Sequence, residues 1–187
     1  MCAWIWILLT LRQPYLVGNT NNEQGYYVLP ALAAGINATA AESADFLLSS
    51  FTCPSGFEAS NRQAYGVPVW RFRYFGDWPN LRLYNGSGAY HGSDLEMVFG
   101  NDRQVSGIPP SAAEEQTTAL MQHAWAVFAE DPMKGLSRLG WPRYDGENAT
   151  LIELAYNNSP AVRFVKPEVY DAPCSTLALG ATETGTD

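Results

Sequence analysis

The chain has 187 residues, of which 47% are hydrophobic and 13% aromatic, and this composition is typical of a globular protein with a sizeable core. The formal net charge is −8, and the 11 basic residues are scattered singly along the chain. Nucleic acids and anionic membrane surfaces are bound through clustered positive charge, so this pattern argues against both as partners.

The first twelve residues form an apolar segment that is too short to span a bilayer. No basic residue precedes the apolar stretch, and no small-x-small cleavage pattern closes it before Arg12, so the segment makes a poor signal peptide. We interpret residues 1–12 as an atypical start to a truncated chain.

Short apolar runs alternate with helical patterns in the first half of the chain. Residues 14–18 predict a buried strand that runs into a polar loop at residues 19–24. A helical region is expected to begin within residues 26–32, and residues 40–51 carry helix formers with apolar side chains at near-helical spacing. Residues 67–75 are the clearest strand, because they are rich in β-branched and aromatic residues.

The second half continues the mixed pattern. Residues 76–88 predict a loop, and residues 111–130 predict the strongest helix, which Pro132 ends. Residues 150–156 and 162–165 are short strand-like runs. The alternation of strands and helices, without repeats or an internal linker, predicts a single α/β unit.

Two side chains stand out as candidates for chemistry. His91 lies in a glycine-rich loop directly after the predicted strand at residues 67–75, and Glu23 lies in the polar loop after the first strand. A solvated surface residue is the alternative interpretation for each. The second histidine, His123, is expected to be a partly buried residue of the long helix.

Several segments together resemble one family. Residues 90–100 resemble the histidine segment of type B carboxylesterases and cholinesterases, in which His-Gly is followed by an apolar stretch ending in Phe-Gly. Residues 16–27 are similar to the acid segment of that family, and residues 67–77 to the strand that feeds the histidine loop. Residues 125–142 resemble the final helix and the turn after it. The sequences of these segments most resemble those of the secreted fungal branch of this family.

The resemblance implies the C-terminal portion of an α/β-hydrolase fold, incomplete, with a mixed and mostly parallel sheet flanked by helices. It covers residues 13–174, and residues 175–187 are expected to be a disordered tail. By family, the implied activity is hydrolysis of a small-molecule carboxylic ester through an acyl-enzyme, without cofactor or metal. Glu23 would be the triad acid and His91 the general base and acid.

The chain departs from the family at the nucleophile. No Gly-x-Ser-x-Gly pattern and no glycine-rich oxyanion segment occur in the 187 residues. Ser87 and Ser93 flank His91 but are interpreted as loop serines. We therefore expect the chain alone to be inactive.

Cysteines and glycosylation sequons indicate an oxidising compartment. The resemblance implies a disulfide between Cys53 and Cys174, which bracket His91 as a cholinesterase disulfide does. Four Asn-x-Ser/Thr sequons favour secretion. They lie at Asn37, Asn85, Asn148 and Asn157.

Two other functions remain open at this point. One is a non-catalytic cholinesterase-like interaction domain, against which the presence of both Glu23 and His91 argues. The other is a secreted carbohydrate-binding module that uses exposed aromatic side chains. The sequence specifies neither the ester nor the oligomeric state.

Overall fold

The structure is a computed structural model that describes residues 13–176. The predicted atypical start at residues 1–12 lies outside the described residues, as do residues 177–187 of the predicted tail. The first two residues of that predicted tail, Ser175 and Thr176, belong to a 3-10 helix, Ala172–Thr176.

One mixed sheet forms the centre of the described chain. Its strands lie in the order β1 (Tyr15–Thr20), β2 (Val69–Tyr74), β3 (Leu151–Leu154) and β4 (Arg163–Val165). The first three are parallel, and β4 pairs with β3 in the antiparallel sense. This arrangement confirms the predicted mostly parallel sheet. Because β2 lies between two parallel strands and is covered on both faces, all six of its residues are buried.

Helices flank this sheet and connect its parallel strands. The helices of the described chain are α1 (Gln24–Ala33), α2 (Ala40–Leu47), α3 (Cys53–Ala64), α4 (Leu95–Phe99), α5 (Asp102–Ser106), α6 (Ala112–Glu130), α7 (Gly135–Arg138) and α8 (Glu168–Asp171). A second 3-10 helix spans Tyr156–Asn158. Helix α6 confirms the strongest helix prediction: a reciprocal capping box between Ser111 and Glu114 begins it, and it ends before Pro132.

The helical region after α1 is longer than predicted. A capping box between Thr39 and Glu42 begins α2, and a π-helical turn, Leu48–Thr52, joins α2 directly to α3. Pro54 does not interrupt this path, because it stands in the first turn of α3, where a helix does not need its missing N–H. The π turn widens the helix locally and changes the direction in which its side chains project.

The two faces of β2 pack against different partners. Trp70, Phe72 and Tyr74 face the main core, where Phe72 packs edge-on against Trp125 of α6 with ring centroids 5.1 Å apart. Arg71 alternates with them, on the opposite face of the strand. Within residues 13–176 no helix is long and apolar enough to cross a membrane.

Candidate active site

Glu23 and His91 each follow the carboxyl end of a parallel strand. Strand β1 ends at Thr20, three residues before Glu23, and β2 leads into the loop that carries His91. The residues just before them, Asn22 and Tyr90, pair as an isolated parallel bridge. Adjacent parallel strands bring their following loops to one edge of the sheet, and this edge is where α/β proteins place their sites.

The two side chains are in direct contact. The Oε2 atom of Glu23 lies 2.6 Å from Nδ1 of His91, and Oε1 of Glu23 accepts a hydrogen bond of 2.5 Å from the backbone N–H of Thr20. Glu23 is 3% exposed, whereas the His91 side chain is 44% exposed. A carboxylate only accepts hydrogen bonds, so Nδ1 of His91 donates and the neutral ring keeps Nε2 free as an acceptor.

Close packing of the two loops requires a glycine after the acid. A Cβ atom on Gly25 would lie 2.5 Å from the carbonyl oxygen of Ser87 and 2.6 Å from Nδ2 of Asn22. The backbone N–H of Asn22 donates to the carbonyl of Ala89 at 2.9 Å, and the Tyr84 hydroxyl donates to the carbonyl of Gly25 at 2.7 Å. These bonds hold together the loop that carries Glu23, which we call the acid loop, and the loop that carries His91, which we call the histidine loop.

The glycine after the histidine also has a structural reason. Gly92 has a φ angle of +85°, in the left-handed region that side chains other than glycine rarely adopt. This residue turns the chain away from His91 and toward α4. The His-Gly pair noted in the sequence therefore reflects the backbone geometry that presents the imidazole.

Three aromatic side chains surround the imidazole, and we call them the aromatic wall: Tyr26, Tyr27 and Phe51. Their ring centroids lie 6.3, 5.3 and 5.4 Å from that of His91. The tyrosines come from α1, and Phe51 comes from the π turn. No local pattern in the sequence marks Phe51 as a site residue, because the π turn that projects it toward His91 has no sequence signature.

Asp94 is a third ionisable group near the pair. Burial raises the pKa of its carboxyl to about 6, and the negative charges of Glu23 and Glu96 act in the same direction. The opposing attraction of His91 is a smaller effect. The carboxyl of Asp94 therefore changes from its neutral to its negatively charged form as the pH rises through the mildly acidic range.

The other candidate residues lie apart from this contact. Ser87 is buried and its Oγ accepts a hydrogen bond from the backbone N–H of Leu83 at 3.2 Å. Ser93 is buried too, and within residues 13–176 its hydroxyl has no hydrogen-bond partner. His123 is exposed on α6 and not partly buried as predicted.

The predicted disulfide is present. Cys53, at the start of α3, is bonded to Cys174, with Cα atoms 5.4 Å apart. The asparagines of the predicted sequons are exposed. In the part of the chain that the structure describes, no group of three or more His, Cys, Asp or Glu side chains is arranged to hold a metal ion.

Comparison with known proteins gives relatives that match over part of their length. The chain is 30% identical over 167 residues to Secreted lipase 5 of Gibberella zeae, covering 84% of this chain and 30% of the lipase. It is 33% identical over 91 residues to a chlorogenic acid esterase of Aspergillus niger, covering 49% of this chain and 18% of the esterase. The chain thus spans less than a third of the length of these relatives. No protein-family model matches it.

Solved structures show the same fold. A PNB esterase structure superimposes with a TM-score of 0.59 at 22% identity, covering 81% of this chain and 36% of that one. A thermophilic PNB esterase gives a TM-score of 0.59 at 21% identity with the same coverage. The relatives and the solved structures together support a carboxylesterase-like α/β-hydrolase fold for this chain, which spans only part of the length of those relatives.

Proposed function

We propose that the chain supplies the acid and the histidine of a catalytic triad that hydrolyses carboxylic esters. The observation that carries this proposal is the contact of 2.6 Å between Glu23 Oε2 and His91 Nδ1, with the carboxylate buried and the imidazole partly exposed. The order of acid before histidine along the chain is that of α/β-hydrolases. A non-catalytic binding domain gives no reason to bury a carboxylate against a histidine.

In the proposed reaction, Nε2 of His91 removes the proton of a serine hydroxyl as that hydroxyl attacks the ester carbonyl. The same proton then passes to the leaving alkoxide, and a water molecule activated by His91 releases the acid in a second step. Glu23 holds the ring in the tautomer with a free Nε2 and stabilises the imidazolium that forms in each step. Thr20 contributes by fixing the second oxygen of the carboxylate.

The proposed substrate is a small-molecule carboxylic ester, a class to which the names of both relatives point. An apolar pocket of about 320 Å³ lies beside the aromatic wall, and Tyr27 belongs to both. Its other lining residues come mainly from α1 and α2: Gln24, Val28, Ala31, Ala38, Glu42, Ser43 and Phe46. This pocket is suited to an apolar part of the ester, because its carbon-rich walls gain from excluding water.

We further propose that the 187-residue chain does not turn over esters on its own. The nucleophile elbow pattern is absent from its sequence, and removal of the nucleophile from a serine hydrolase costs a factor of about 10⁶ in rate. Purified chain is expected to show no hydrolysis of p-nitrophenyl butyrate that depends on His91. A turnover that His91→Ala abolishes would contradict this part of the proposal.

A chimaera tests the catalytic role directly. In Secreted lipase 5, the segment that matches this chain is replaced by the corresponding residues of this chain, and labelling of the lipase serine by a fluorophosphonate probe is measured. The proposal predicts labelling that His91→Ala and Glu23→Ala each suppress, with His123→Ala as the matched control. A folded chimaera whose labelling is unaffected by both substitutions would refute the assignment.

An extracellular location is part of the proposal. One relative is named a secreted lipase, and the disulfide and the exposed sequon asparagines suit an oxidising, glycosylating compartment. Expression in a secreting fungal host, followed by glycosidase treatment, tests this. A mass shift on deglycosylation is expected, and a secreted chain without glycans would contradict the proposed glycosylation at Asn37, Asn85, Asn148 and Asn157.

A further inference from the structure

Arg73, at the carboxyl end of β2, is a buried cation without an ion pair. Its residue is 5% exposed, and within residues 13–176 no carboxylate lies within salt-bridge distance of its guanidinium. Burying an uncompensated charge is costly, so such a group is retained only where other contacts hold it. Arg71, two residues earlier on the same face of β2, differs, because it forms an ion pair with Asp171.

The contacts of Arg73 reach two separate segments. Its Nε donates to Oδ1 of Asn21 at 3.0 Å, and its Nη1 donates to Oγ1 of Thr52 at 3.2 Å. The guanidinium also lies over the ring of Tyr170, with Cζ 4.4 Å from the ring centroid. The planar fork of arginine holds these donors in a fixed relative orientation, which an ammonium group does not do.

The first of these segments carries Glu23, and the second carries Phe51, which packs against His91. Asn21 lies two residues before Glu23, and its backbone N–H donates to the carbonyl of Tyr74 at 2.8 Å, so the acid loop is fixed to β2 at this point. Thr52 directly follows Phe51, whose ring lies 5.4 Å from that of His91. One buried side chain thus connects the acid loop to the turn that packs against the imidazole.

We propose that Arg73 is a positioning residue, which holds the Glu23–His91 pair by tying the acid loop at Asn21 to the π turn at Thr52. An effect of Arg73 on catalysis rests on the proposed function. Its effect on the geometry of the Glu23–His91 pair can be measured without any enzymatic turnover. Within residues 13–176 the hydrogen bonds of the Arg73 side chain go to Asn21 and Thr52 and not to His91, so we infer that it acts through the geometry of the pair.

The electrostatic environment agrees with this role. Burial lowers the pKa of the Arg73 guanidinium and the positive charge of Arg71 adds to this, while the neighbouring Tyr170 and the negative charges of Asp171 and Glu23 counteract it. Arginine stays protonated in proteins even so, because its unperturbed pKa lies far above neutrality. The attraction between this charge and the Glu23 carboxylate is the weakest of these effects, so the positioning role rests on the hydrogen bonds to Asn21 and Thr52.

Nitrogen NMR of the imidazoles in the purified 187-residue chain provides the test. The chain has only two histidines, and His123 is exposed on α6, so it serves as an internal reference for a solvated imidazole. Contact with the Glu23 carboxylate holds His91 in the Nδ1–H tautomer. The ratio of the Nδ1–H to the Nε2–H form of His91, measured by ¹⁵N chemical shifts above pH 8, reports the geometry of the pair.

Two substitutions that break the hydrogen bond between Arg73 and Asn21 are expected to lower this ratio. In Arg73→Met it should fall about tenfold, as expected for the loss of a hydrogen bond from a charged donor. Asn21→Ala removes only the link to the acid loop and should produce the same change at a smaller cost in stability. Arg163→Met, which removes a half-exposed arginine on β4, is the matched control and should leave the ratio unchanged.

Two more variants separate positioning from general stability. Thr52→Val keeps the shape of the side chain but not its hydroxyl, so it should weaken nuclear Overhauser contacts between Phe51 and His91 while the tautomer ratio is kept. Arg73→Lys retains the positive charge but not the planar guanidinium, so its tautomer ratio should lie between those of Arg73→Met and the wild type. If Arg73→Met does not fold, Asn21→Ala and Thr52→Val still decide the question.

The outcomes distinguish the two proposals. A wild-type His91 without an excess of the Nδ1–H form over His123 would contradict the proposed function itself. A wild-type excess that survives in both Arg73→Met and Asn21→Ala would overturn the positioning role alone. A loss of the excess in Arg163→Met as well would assign the effect to general destabilisation and would also overturn it.

Discussion

The Oε2 atom of Glu23 lies 2.6 Å from the Nδ1 atom of His91, although 68 residues separate the two in the sequence. The contact joins loops that follow neighbouring parallel strands, and the pairing of Asn22 with Tyr90 fixes both loops one residue before it. Backbone pairing therefore brings the two loops together, so that the side chains of Glu23 and His91 start from positions that are already close.

Glu23→Gln is expected to invert the tautomer of His91. The Gln Oε1 atom can still accept the hydrogen bond from the Thr20 N–H, and its amide NH₂ then faces Nδ1 of the imidazole. The proton would move to Nε2, which leaves no acceptor for a serine hydroxyl. In the chimaera with Secreted lipase 5, esterase activity should fall by about 10⁴, as for the equivalent amide substitution in a serine triad.

The tautomer inversion is measured in the 187-residue chain by ¹⁵N NMR. Glu58→Gln is the matched control, since it removes a carboxylate that pairs with Arg62 on the surface of α3. Retention of the Nδ1–H form in Glu23→Gln would show that the carboxylate does not determine the tautomer.

Gly25→Ala should lower the free energy of unfolding by about 1–3 kcal/mol, because the added methyl group overlaps the carbonyl of Ser87 and the amide of Asn22. The substitution should also separate the acid loop from the histidine loop and reduce the Nδ1–H fraction of His91. Urea unfolding measures the first effect. Gly146→Ala is the control, since its nearest contact would be the Tyr144 hydroxyl at 3.8 Å, and a similar loss there would contradict the explanation.

Asp94→Asn should stabilise the protein at neutral pH and lose this advantage in acid. The pKa of Asp94 is raised in the folded protein from 3.8 to about 6, mainly by burial, so its ionisation costs stability as the pH rises through this interval. The difference in unfolding free energy between variant and wild type should grow from near zero below pH 4 to roughly 1–3 kcal/mol above pH 6. Urea unfolding from pH 3.5 to 7.5 tests this.

A carboxyl with the opposite shift provides the control for this pH series. The backbone N–H of Glu147 and the side chain of Asn148 hold the pKa of Asp145 below its usual range. Asp145→Asn should therefore lower stability at neutral pH, and the loss should shrink as the pH falls below about 4. A constant difference for Asp94→Asn across the range would be incompatible with its raised pKa.

Removing the disulfide should destabilise the chain strongly. Cys53 and Cys174 are 121 residues apart, and loss of a native disulfide typically costs about 2–5 kcal/mol. The double variant Cys53→Ala/Cys174→Ala should therefore unfold at a lower urea concentration than the oxidised wild type. Dithiothreitol should shift the midpoint of the wild type and leave that of the double variant unchanged. Equal midpoints for oxidised wild type and double variant would contradict the prediction.

Local patterns in the sequence were sufficient for the main elements of the fold. The strand at residues 67–75 and the helix at residues 111–130 were predicted because β-branched and aromatic runs, capping residues and proline act over a few neighbouring positions. The π turn was missed, since nothing in residues 48–52 distinguishes it from a continuing helix. The buried state of Arg73 was missed for a different reason, because strands covered on both faces are recognised only when the sheet is assembled.

The α/β class and the glycine-rich loop around His91 follow from patterns in the sequence. The family resemblance predicted Glu23 as the acid, His91 as the histidine and a disulfide between Cys53 and Cys174. Three contacts become visible only in the folded chain: Glu23 with His91, Phe51 with the imidazole, and Arg73 with Asn21 and Thr52. The physical reason is that these contacts depend on strand order and register, which bring together residues far apart in the chain and which no local pattern specifies.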